Sequence, residues 1–135
     1  MKEQLLATLQ TSKNYTFAVA ESMPDKEYNF KPVESVWNFG ELVHHIAYGI
    51  EWWENNFIKG EKVDWDEPAF KAKKKELLSY LDRSYASLKD TICKRGLDDK
   101  AIQGFHATLD HITHHRGQAV VYLRCKGIVP PGYAY

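Results

Sequence analysis

Cysteine is scarce in this chain. Only Cys93 and Cys125 occur among 135 residues, far apart, and no CxxC pair is present. This gives no basis for a disulfide framework and fits a reducing cytoplasm with both thiols free. Long apolar runs are missing too. No stretch approaches the roughly 20 apolar residues that a membrane span needs. The opening MKEQLLATLQTSK lacks the uninterrupted apolar core of a signal peptide. Net charge is also absent, because 18 Lys and Arg balance 18 Asp and Glu. No global field therefore draws nucleic acid or an acidic membrane. Finally, there is no HExxH, so no glutamate stands beside a metal as it does in a zinc protease.

What remains is ordinary for a folded domain: 44% apolar and 27% charged residues, in a length that suits one domain spanning 1–135. Apolar periodicity marks four helices. The first covers about Lys2 to Ser22 and stops before Pro24, which disfavours helix in the residue preceding it. The second opens at Asn38, an N-cap with Glu41 three residues on, as in a capping box, and closes at Gly60. The third is expected from Pro68 to about Arg95, with Phe70, Leu77, Leu81, Tyr85, Leu88 and Ile92 on one side and Gly96 as its stop. The run Lys71, Lys73, Lys74, Lys75 reads as a solvated face. The fourth is expected from about Gly104 to Lys126, ended by Gly127 and Pro130-Pro131. Four amphipathic helices predict an all-α four-helix bundle, and two long linkers leave room for a crossover connection.

The six histidines fall at His44-His45, at His106, and in the run HITHHRGQ, which holds His111, His114 and His115. Imidazole suits zinc, copper, iron and nickel. His111 and His115 are four apart, so both reach one face of a helix. At about 100° per residue they flank the core stripe of their helix, while His114 faces solvent. His45 lies at the edge of the second helix's stripe and His44 points away from it. His106 reads as a surface or capping residue. Three neutral imidazoles, His45, His111 and His115, around one ion leave a position open for water or substrate, as in catalytic rather than structural sites. Gln118 shares His115's side and is placed to hydrogen-bond a ligand histidine or a bound water. Asp110 is poorly placed for that role. Arg116 points near the core stripe, where it is expected to anchor a helix pair or a carboxylate at an interface. Trp37, Trp52, Trp53 and Trp65 are assigned to core or dimer surface, and any one of them could wall the pocket.

The segments MPDKEYNFKPVESVWNFGELVHHIA and HITHHRGQAVVYLRCKGIVPP resemble the two motifs of the DinB/YfiT-like family. Its members are regarded as metalloenzymes and include bacillithiol-dependent transferases. The likeness covers most of the chain, in order. It implies a four-helix bundle, usually a homodimer, with a metal on three histidines. By motif position these fall on His45, His111 and His115. Zinc or nickel is the expected ion. The implied activity is transfer of a low-molecular-weight thiol to an electrophilic small molecule. The alternatives are hydrolysis by a metal-bound hydroxide and a non-enzymatic, stress-associated metal or ligand binder. The motifs mark the metal and leave the substrate unnamed.

Overall fold

A computed structural model describes residues 1–70 and 72–133, and all regular structure among them is helical. The elements are α1 (Lys2–Ser22), α2 (Phe39–Trp53), α3 (Lys74–Lys94) and α4 (Asp99–Cys125). α2 runs on as a π-helical turn, Glu54–Ile58. α1 packs on α3 and α4, and α2 packs on the same two helices. α1 and α2 therefore occupy opposite corners, and the connection between them crosses the bundle. Leu81, Tyr85, Ile92, Phe105, Ile112 and Ile46 are buried at the centre. Each such side chain contributes about 1.5–3 kcal/mol of transfer energy, more than helix propensity supplies.

Three of the four helices, α2, α3 and α4, begin where a side chain accepts from a free amide. At α2 the expected capping box is present: the Glu41 amide donates to Asn38 Oδ1 at 2.7 Å and the Asn38 amide to Glu41 Oε1 at 3.2 Å. α3 does not start at Pro68. It starts at Lys74, whose amide donates to the Asp25 carboxylate at 3.2 Å, an acceptor supplied by the loop between α1 and α2. Phe70 accordingly lies in the linker rather than on the helical stripe, and Lys71 lies outside the described residues. α4 also starts earlier than Gly104. Asp98 caps it by accepting from the Ala101 amide at 2.8 Å. Its far end closes on Gly127 at φ 73°, where the Ile128 amide reaches the Leu123 carbonyl at 2.9 Å.

The linker from 59 to 73 folds back over α2. The Asp66 amide donates to the Tyr48 hydroxyl at 2.7 Å and the Val63 amide to Asn56 Oδ1 at 2.9 Å. This strap covers the face of α2 that the helical wheel alone leaves to solvent. Among the described residues no helix is long and apolar enough to cross a membrane.

Candidate metal centre

α2 supplies His45 and α4 supplies His111 and His115. The fold brings one nitrogen from each within 4.8 Å of the others. His45 Nε2 and His111 Nε2 are 3.0 Å apart. Close packing of the two helices makes this possible. Gly49 faces His111, and a Cβ at that position would overlap the imidazole ring. Two aromatic walls flank the cluster. The Trp37 ring lies 4.5 Å from His45 and 5.8 Å from His115, between centroids. Trp65, on the strap, lies 5.3 Å from His45 and 6.1 Å from His111. Trp52 touches Trp65 and Trp53 packs on Phe57, so these two brace the walls.

The outer nitrogens decide where the lone pairs point. His45 Nδ1 lies 2.6 Å from Glu67 Oε1, and His44 Nδ1 lies 2.7 Å from Glu67 Oε2. A carboxylate only accepts, so both imidazoles donate from Nδ1 and each neutral ring keeps its lone pair on Nε2. For His45 that lone pair faces the cluster. His115 Nδ1 is 2.9 Å from Gln118 Oε1, which orients its ring in the same way. His111 Nδ1 is buried without a hydrogen-bond partner.

The local electrostatics favour neutral imidazoles. Burial, with the neighbouring His115 and His45, pushes His111 down to about 4. Burial also lowers His115, against the opposing pull of its Gln118 bond. Burial alone would raise Glu67, but the hydrogen bonds from His45 and His44 outweigh it and hold the carboxyl below its usual range. A divalent transition ion fits this donor set: three imidazole nitrogens that converge, two of them on rings fixed by acceptors behind them.

His44 departs from expectation. It is 6% exposed, stacked on Phe70 at 4.0 Å between ring centroids, because the strap closes over it. His106 and Asp110 are exposed; His114 is exposed too, but its ring meets that of His115 edge to face at 4.8 Å between centroids. Arg116 is buried and bonds to α1. Glu67 was not singled out by the sequence. An isolated glutamate in an acidic linker gives no periodic signal, and only the fold of the strap places it.

A helical bundle with a crossover and an inward-facing histidine cluster defines the class. The sequence matches the model of the DinB superfamily over residues 8–119, and the chain belongs to that superfamily. A crystal structure of a DinB-like protein, YjoA from Bacillus subtilis, superposes with a TM-score of 0.73 at 23% identity, covering 97% of this chain and 98% of that one. At that identity the likeness speaks for the fold alone. No curated protein matches.

Proposed function

We propose that this chain is a metal-dependent transferase that joins a low-molecular-weight thiol to an electrophilic small molecule. His45, His111 and His115 are the ligands in this reading, and zinc or nickel is the ion. The observation that carries it is the convergence of three imidazole nitrogens, two of them on rings oriented from behind by Glu67 and Gln118. Bound there, the ion would supply Lewis acidity, lowering the pKa of a coordinated thiol or water by several units. The chain itself does the rest. Glu67 and Gln118 fix the rings, Trp37 and Trp65 wall the centre against bulk water, and Gly49 gives His111 its room.

Thiol transfer is favoured over hydrolysis by one detail. Among the described residues, Glu67 is the one carboxylate bonded to the cluster, and it turns one oxygen to each of two imidazoles. That arrangement favours a ring-holding role over that of a base, and a thiol bound as thiolate needs no such base. Residues 1–135 are read as one cytoplasmic domain acting as a homodimer. Exposed Val33, Val36, Val121 and Val129 are the apolar surface available for pairing.

Elemental analysis of untagged protein purified without chelator tests the site. Wild type should carry close to one transition metal per chain, and the His111→Ala/His115→Ala variant essentially none. The loaded protein is then offered bacillithiol or other cellular thiols with model electrophiles. Thiol-dependent consumption above the uncatalysed rate supports transfer. Ester or lactone turnover without thiol points to hydrolysis. Full loading with no turnover leaves a metal or ligand binder.

A further inference from the structure

One residue past His115, about 100° further round α4, the helix carries a second unusual group. Arg116 is 5% exposed. Its Nη1 donates to the Thr16 hydroxyl at 3.2 Å and to the Ser12 carbonyl at 3.5 Å. The guanidinium lies 4.8 Å from the centre of the Tyr15 ring. These contacts tie α4 to α1, yet none of them carries negative charge. Among the described residues, no carboxylate forms an ion pair with Arg116. A buried guanidinium without a counter-charge is costly, and a hydroxyl and a carbonyl answer only part of its five-donor fork.

The same side chain lines a cavity of about 380 Å³, with Tyr15, Val120, Arg124, Pro131 and Tyr133. Among the described residues, no acidic side chain lines it. Its size suits a small molecule. Tyr15 and Tyr133 meet edge to face at 5.4 Å, and the Tyr15 hydroxyl donates to the Pro131 carbonyl at 3.2 Å, holding the tail against α1. None of the three clustered histidines lines this cavity. Each arginine has a bland explanation on its own. Arg116 fastens two helices, and Arg124 sits in the last turn of α4, where the helix dipole favours a cation. Neither explanation accounts for both arginines bordering one acid-free cavity with aromatic walls.

We propose that this cavity is a second ligand site, distinct from the histidine centre, and that it takes a small aromatic or otherwise apolar monocarboxylate. The planar fork of Arg116 matches a carboxylate, and Arg124 adds a second positive charge at the same cavity. Tyr15, Tyr133, Val120 and Pro131 surround the apolar body.

The test is a titration of full-length, metal-loaded, ¹⁵N-labelled protein with benzoate, benzamide and inorganic phosphate, followed by amide chemical shifts. Benzoate should saturate and move Gly117, Val120 and Gly132, leaving Gly49 and Gln118 still. Benzamide, with the same ring and no charge, should bind at least about tenfold more weakly. Arg124→Gln, at an exposed position, should weaken benzoate severalfold without altering metal content. Arg116→Lys should weaken it further, because the fork is lost while the charge is kept. Four results would overturn the proposal: equal binding of benzoate and benzamide, phosphate binding as tightly as benzoate, benzoate shifts centred on the histidines, or undiminished binding by Arg124→Gln.

Discussion

Two carboxylates in this molecule are each fixed by two side chains that donate, and they do different work. Glu54 sits in the π-helical turn, 2% exposed. It accepts from the Thr91 hydroxyl at 2.5 Å and the Ser87 hydroxyl at 3.0 Å, with the Lys59 ammonium 3.5 Å away. Glu67 sits on the strap and accepts from two imidazoles. The partners of Glu54 end at α3, so its bonds join helix to helix. A partner of Glu67 belongs to the histidine cluster, so its bonds pass orientation on to His45. The same functional group thus serves stability in one place and ligand geometry in the other. The chemistry of the donors is what separates the two roles.

The comparison breaks cleanly if it is right. Glu54→Gln should cost about 3 kcal/mol, roughly 10 °C in melting temperature, because the Thr91 and Ser87 hydroxyls lose a charged acceptor and Lys59 loses its counter-charge. Its metal content should stay that of wild type, and a melt beside elemental analysis reads both. Gly49→Ala falls between the two roles. Its methyl meets the His111 ring, so about 2 kcal/mol of stability and most of the metal should go together. Glu67→Gln should weaken metal binding about 10- to 100-fold, measured by competition with a chelator, with a smaller change in the metal-free melt than Glu54→Gln gives. If the two glutamate variants exchange these signatures, the division of labour is wrong.

The last effect is a dependence on pH, reduced by the partial exposure of the group that causes it. His111 is held at about 4 against an ordinary 6.5, so the unfolded chain binds a proton that the folded chain refuses. In the presence of chelator, that contribution to stability is complete above 6.5. It is lost as the pH falls from 6.5 toward about 4. Denaturant melts across that window should show the decline, and His111→Ala should flatten it.

What could be read ahead was what local spacing encodes. The stripes of α2 and α4, the capping box at Asn38 and the pair His111 and His115 are all written within a turn or two of chain. The edge position of His45 follows from the same wheel. The burial of His44 and the role of Glu67 do not, because they arise when residue 67 meets residues 44 and 45 across a linker with no periodicity. The starts of α3 and α4 show the same limit from two sides. Pro68 and Phe70 look like a first turn, but the acceptor that starts α3 is Asp25, 49 residues away in sequence. Asp98, by contrast, is a local cap, and the signal for an early start of α4 was present in the chain.

The π-helical turn after α2 carries a consequence for how this fold can be inherited. A π turn holds one residue more than the α turn it replaces, and it sets the angle at which the chain leaves for Gly60. Deleting a single codon within 54–58 would turn the strap by about a hundred degrees and swing Glu67 off its histidines. α1, α3 and α4 would keep their sequences. A relative with one residue more or fewer in that turn is therefore expected to hold the ring equivalent to His45 by some other group, which a comparison of superfamily sequences would check.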